Sequence, residues 1–266
     1  METKIQRLFK SNNDLFDLGK KILKNGIRAN SKINFFVEYI FLKADRTHRA
    51  ISLLCKEELG EDAFILCRAL FETEITCKYI LKDETNYRLD RFFDYNWINE
   101  LEKIKMNQDH YLNLITKNKN YALKYFEECK KTISIACKVR NKYKYKYWGW
   151  SDKRIKGMAE EVGEKSYYET LYKTQSYFIH SSSNTMHLCI DSKSQSLFWI
   201  DNALVCAFYL YSSILVIANR YLNDNPKKFD KDFSSMIKYH AQTLKMDYEI
   251  KYGEGSFNKD FKETVV

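Results

Sequence analysis

Proline and glycine are nearly missing from this chain: Pro226 stands alone, and 266 residues contain only eight glycines. Folds made of many short strands, and flexible linkers, turn their backbone with these two residues, so their scarcity excludes a β-sandwich or barrel and leaves long helices. No segment shows sustained apolar/polar alternation, an internal repeat or low complexity. The N-terminal stretch METKIQRLFKSNNDLF carries a charge every few residues and no apolar core of a leader, so secretion is not expected and a cytoplasmic location is. The seven cysteines, at 55, 67, 77, 129, 137, 189 and 206, form no C-x-x-C pair and sit within apolar helical patterns. They read as reduced thiols in a reducing compartment rather than zinc ligands. H-E-x-x-H, P-loop and dinucleotide fingerprints are missing, and His48, His110, His187 and His240 are dispersed, so neither a metal nor a cofactor is expected.

What the chain does contain is 45% hydrophobic residues, a third of them aromatic, with 30% charged residues, the composition of a folded protein with a well-solvated surface. Apolar residues recur every three to four positions through most of the sequence. The pattern predicts a helix or a broken pair over 4–24, then helices over 33–59, 61–80, 83–110, 111–146, a short one capped by Ser151 or Asp152 and ending near Gly163, and further helices over 165–181, 198–222 and 231–250. Gly60 reads as the C′ residue closing the second of these. The expectation is an all-α, single-domain bundle of eight or nine helices over 1–253, followed by a flexible tail at 254–266. The uncharged run 202–219 has the shortest length that spans a bilayer. With charged sequence on both sides and no second span, it reads as a core helix buried on all faces, and no stable membrane span is expected.

The net charge of +9 is concentrated. Residues 117–156 hold 13 Lys/Arg against three acids, a balance of +10 that leaves −1 for the rest. Within this window Arg140, Lys142, Lys144, Lys146 and Trp150, in the run RNKYKYKYWGW, interleave cations with aromatic rings, a mixture that grips phosphate and stacks single-stranded bases. The plain alternative is a solvated helix end whose rings cover the core.

Two helical spacings bear on chemistry. Arg68 and Glu72 are four apart on the third helix, and Ser176 and His180 are four apart on the helix after Gly163, so each pair shares a face. Should the two helices pack together, a guanidinium for anions, a carboxylate and an imidazole titrating near neutrality would meet, a set able to bind phosphate or move protons without a metal. Arg91 and Tyr95, one turn apart, can add an anion contact and a hydroxyl. Ser176 lacks the strained elbow and oxyanion hole of a serine hydrolase, so its role is supporting.

The segments RALFE at 68–72, RFFDY at 91–95, WSDKRIKGMAEEVG at 150–163 and YETLYKTQSYFIHS at 168–181 resemble, in that order, a family of bacterial helical proteins with an R-x-x-x-E and a later S-x-x-x-H element. The resemblance spans about Ala50 to Leu222 and groups Arg68, Glu72, Arg91, Tyr95, Ser176 and His180. In helical architecture that family resembles the higher-eukaryote-and-prokaryote nucleotide-binding domains, many of them metal-independent ribonucleases of bacterial defence. Their hallmark is an Arg followed by four to six residues and then a His on one helix, a spacing no Arg-to-His pair has here; Lys173 to His180 is the nearest imitation. The resembled family is uncharacterised and implies no activity; the two elements together with the basic aromatic segment lead to the expectation of an RNA- or nucleotide-directed effector of phage defence with metal-independent ribonuclease-like chemistry, in which His180 moves a proton, Arg68 and Arg91 hold phosphate and Glu72 orients the cluster. A different class stands beside it: a non-catalytic helical module, acting as a homodimer or on a protein partner, in which the same residues lock the bundle.

Overall fold

The computed structural model describes residues 3–24, 31–106, 119–143, 149–179 and 193–252, with side chains throughout except at 119–123, 177–179, 193–196 and 245–252. Every regular element among them is helical, as the scarcity of Gly and Pro requires. In chain order they are α1 (Lys4–Lys24), α2 (Lys32–Lys56), α3 (Gly60–Leu81), α4 (Tyr87–Met106), α5 (Lys119–Tyr143) and α6 (Ile155–Glu161). Then comes α7, which runs Lys165–Tyr167, a π-helical turn Tyr168–Tyr172 and Lys173–Ile179, followed by α8 (Lys193–Leu222), a 3₁₀ turn Pro226–Phe229 and α9 (Asp230–Tyr252). Backbone packing divides the chain into two compact units, one formed by residues 1–77 and 163–266 and the other by 78–162, with α3 contributing to both.

In the first unit α8 is the central helix. It packs on α1 and α2, and α9 packs on α1. Ala203, Leu204, Ala207, Phe208, Tyr211, Leu215 and Ala218 are fully enclosed, whereas Tyr209 and Val216 are exposed. By length and composition the stretch Leu197–Leu222 could cross a membrane; most of it is buried inside this unit. A group of polar side chains is bonded together inside the unit. Asn12 donates to the carbonyls of Leu8 and Leu204 at 2.9 and 3.1 Å and meets His48 Nε2 at 2.8 Å through Oδ1. The Tyr211 hydroxyl donates to Asp45 Oδ1 at 2.8 Å, and Asp45 Oδ2 accepts from Arg49 at 3.0 Å. Gly19 lets α1 approach this network closely, because a Cβ there would lie 2.5 Å from the Tyr211 hydroxyl.

The second unit is built on α4 against α5, with Ile98, Leu101, Ala136, Val139 and Tyr143 as its core and Tyr95, Trp97 and Ile135 packed around it. A charged clasp holds residues 149–162 within it. Glu161 accepts from Arg88 and Lys153 at 2.5 Å each through its two oxygens, and its carbonyl accepts from Lys82 at 2.6 Å. Arg88 also donates to the Tyr79 carbonyl at 2.8 Å and lies 3.8 Å from the centre of the Tyr79 ring, while the Tyr79 hydroxyl donates to Asp152 at 2.8 Å. Against burial, these bonds hold the carboxyl groups of Asp152 and Glu161 below their ordinary pKa values, the state a salt-bridged carboxylate favours.

Several predicted boundaries need correction. Gly60 does not close α2. The left-handed residue is Glu58 (φ 61°), where the Leu59 N–H reaches back to the Leu54 carbonyl at 2.9 Å, and Gly60 opens α3 instead. The helix expected from Asp83 starts at Tyr87, since the Asp83 carboxylate caps the turn before it, accepting from the backbone N–H groups of Thr85 and Arg88 at 3.0 and 2.7 Å. Neither Ser151 nor Asp152 caps α6: its N-cap is Arg154, without a side-chain hydrogen bond, and the Ser151 hydroxyl instead accepts from the Lys153 N–H at 3.0 Å.

Candidate functional site

The residues that sequence spacing singles out on α3 do meet, and a third joins them from α7. Arg68 Nε donates to Glu72 Oε1 at 3.1 Å across one helical turn. Its NH2 group donates to the Tyr172 hydroxyl at 2.8 Å, and that hydroxyl donates in turn to Glu72 Oε1 at 2.7 Å. The guanidinium carbon lies 4.4 Å from the centre of the Tyr172 ring, adding a cation–π contact to the bonds. α3 and α7 therefore lie side by side at this point. Beneath the trio Phe71 stacks on Tyr167 at 5.4 Å and meets Tyr172 at 5.6 Å. Deeper still, the Tyr167 hydroxyl lies 3.0 Å from Cys206 Sγ on α8.

Tyr172 closes the π-helical turn, within which Tyr168 and Tyr172 form a stacked pair, 4.9 Å between centres, and its hydroxyl meets Arg68 and Glu72. Electrostatics follow from the placement. Burial raises the pKa of Tyr172 and the hydrogen bond to Glu72 raises it further, so the group is a neutral phenol at physiological pH. For Arg68, burial works against the charge, but Tyr172 and Glu72 outweigh it and the pKa is raised. Burial likewise pushes up the Cys67 thiol, which donates to the Ala203 carbonyl, so it is no thiolate nucleophile.

The trio is partly open. The Arg68 side chain is 21% exposed and that of Glu72 44%. The NH1 group of Arg68 and Oε2 of Glu72 make no hydrogen bond to the described residues. Ser176, one turn beyond Tyr172, turns its hydroxyl onto the Tyr172 carbonyl at 2.9 Å. His180, Lys144 and Lys146 lie outside the described residues.

The remaining candidates belong to the second unit. Arg91 is buried there, and its charge helps to lower the Asp152 pKa, while Tyr95 packs on the α4/α5 core. Arg140 reaches Glu102 at 3.6 Å and Lys142 reaches Asp94 at 3.3 Å, each tying α5 to α4. The Trp150 ring packs on Tyr79 and Phe92 at 6.1 and 5.2 Å. Among the described residues no three His, Cys, Asp or Glu side chains gather as metal ligands would.

Residues 35–197, more than half of the chain, match one family. The chain belongs to DUF5677, a family of unknown function. The matched span contains the whole Arg68–Glu72–Tyr172 trio, Ser176 and the clasp of the second unit, but neither α1 nor α9. Among curated proteins and solved structures, nothing matches the chain.

Tyr172 was missed by sequence reasoning, although a signal existed. Tyr172, Ser176 and His180 form a continuous i, i+4, i+8 series, and extending the S-x-x-x-H element one turn backwards reaches the tyrosine. The clasp was also missed. Its acids, Asp152 and Glu161, lie within the quoted segment WSDKRIKGMAEEVG, but their partners Tyr79 and Arg88 are more than 60 positions away and carry no spacing signal.

Proposed function

We propose that the protein is RNA- or nucleotide-directed and that Arg68, Glu72 and Tyr172 form its phosphate-recognition centre. The observation that carries this reading is the state of the Arg68 guanidinium. Two of its nitrogens are held by Glu72 and Tyr172 and its carbon lies 4.4 Å from an aromatic ring centre, while NH1 makes no hydrogen bond to the described residues and the side chain is partly exposed. An arginine fixed in this way has lost its rotamer freedom before any ligand arrives, so an incoming phosphate gains the charge-assisted bonds without the ordering cost. Chemistry on that phosphate, in this reading, is metal-independent phosphodiester cleavage, with His180 moving the proton.

Incubation with total RNA tests the reading. Wild-type protein is expected to shorten the RNA, His180→Ala to leave it intact, and Arg68→Ala to slow the cleavage at least about tenfold, the loss of one charged contact to phosphate. Equal inertness of wild type and His180→Ala rejects the enzyme.

A second reading, a non-catalytic interaction module, is favoured by a different observation: the hydrogen bonds of the trio are all internal, one within α3 and two joining α3 to α7. In that case Tyr172→Phe, which deletes a hydroxyl that both donates and accepts, costs about 1–2 kcal/mol and lowers Tm by roughly 3–6 °C in a protein of this size, and neither RNA nor nucleotide shifts it. A ligand that raises the wild-type Tm but not that of Arg68→Ala decides for phosphate recognition.

A further inference from the structure

Phosphates differ in charge, and the trio is built around a charge balance. Arg68 contributes one positive charge and Glu72, paired with it at 3.1 Å, one negative. Both hydrogen bonds to the carboxylate fall on Oε1, from Arg68 and from Tyr172, so Oε2 is left without a bond to the described residues on a side chain 44% exposed. A phosphate oxygen accepting from NH1 of Arg68 therefore lies within one guanidinium width of a fixed negative charge. The Tyr172 phenol, its pKa raised by burial, brings no charge. Of the other ionisable side chains on the two helices, Glu74 is buried and acts on Tyr167, and Lys173 is paired with Glu169 along α7.

From this balance we infer that the site selects phosphodiesters over terminal phosphate monoesters, and that Glu72 is the residue that sets the preference. The inference rests on the phosphate reading above and narrows it to the internal linkages of RNA rather than free nucleotides. A diester carries one negative charge, which Arg68 answers. A monoester carries about 1.5 to 2 at neutral pH, and its excess charge is repelled by Glu72 at short range. Removing the carboxylate's charge removes the repulsion, whereas shortening the side chain without removing the charge keeps it.

Two probes with one phosphate each separate the cases: 2′-O-methylated adenylyl-adenosine, a diester that attack by the 2′-hydroxyl cannot cleave, and adenosine 5′-monophosphate. Binding is measured on the full chain by equilibrium titration at pH 7.5 and pH 5.5, and read as the ratio of the two affinities, so that any titration common to both probes cancels. Wild type is expected to favour the diester about tenfold at pH 7.5, with the gap narrowing at pH 5.5 as the monoester takes up a proton. Glu72→Gln is expected to tighten the monoester about tenfold at pH 7.5 with the diester within threefold of wild type; Glu72→Asp is expected to preserve the preference. A variant that is merely less stable weakens both probes together and leaves the ratio unmoved. A wild-type ratio near one at both pH values, or an unchanged ratio in Glu72→Gln, overturns the inference while leaving the phosphate reading intact. Failure of wild type to bind either probe removes both.

Discussion

Stability is expected to fall by about 4 kcal/mol between pH 7 and pH 5, before most carboxylates titrate, because two imidazoles are folded into the protein uncharged. His48 is enclosed, bonded through Nε2 to Asn12 at 2.8 Å, stacked on Tyr211 at 4.3 Å and without a partner at Nδ1 among the described residues. Burial lowers its pKa to about 3. His240 meets the Ser11 hydroxyl at 3.1 Å through Nδ1, stacks on Phe208 at 3.7 Å and has no partner at Nε2 among the described residues. Burial, and secondarily the Lys4 charge, lower its pKa to about 4. Above pH 6.5 both rings are neutral whether the chain is folded or not, and they cost nothing. As pH falls below 6.5 the unfolded chain takes up protons that the folded chain refuses, and stability is lost progressively down to the folded pKa values. At pH 5 this amounts to 1.5 pH units, about 2 kcal/mol for each ring. Denaturant unfolding at constant ionic strength checks the slope. His48→Gln and His240→Gln should each remove about half of it, and a double variant that loses as much stability as wild type would refute the assignment.

The second large effect is steric. Gly19→Ala places a methyl group 2.5 Å from the Tyr211 hydroxyl, 3.4 Å from Leu215 Cδ2 and 3.5 Å from Phe41 Cζ. Tyr211 cannot swing aside, because its hydroxyl is bonded to the buried Asp45 and its ring is stacked on His48. Overpacking of this kind costs about 1–3 kcal/mol, and displacing the hydroxyl adds about 1 kcal/mol for the weakened bond, against roughly 1 kcal/mol gained in helix propensity. A net loss of about 2 kcal/mol is expected. Tyr211→Phe removes the colliding oxygen, so the double variant should be about 1 kcal/mol more stable than the two single losses predict. Strict additivity, or a Gly19→Ala protein as stable as wild type, would show that α1 and α8 are further apart than described.

The apolar run around residues 202–219 illustrates what a linear pattern can and cannot convey. Its composition suits a buried helix and a membrane span equally, and only the packing of α1 and α2 over it shows which faces are covered in this fold. Arg68 and Glu72 were legible because their contact is local: four residues of α-helix bring the side chains together whatever the rest of the chain does. Tyr172 was not, since its contact depends on α7 docking against α3 a hundred residues away. Trp150 reads in sequence as a ring free to stack on a base; in the structure it rests on Tyr79 and Phe92.

Sequence by itself determined that this protein is helical throughout the described chain, where most of its helices run, and that one of them pairs an arginine with a glutamate. Those features follow from residue propensities, the 3.6-residue period and contacts within a turn or two. The third member of the trio, the neutral buried histidines, the clasp on Glu161 and the close passage at Gly19 were decided only by tertiary structure. Each depends on which faces of distant segments meet, and burial and pairing at those meetings, rather than residue type, set the charge and reach of a side chain.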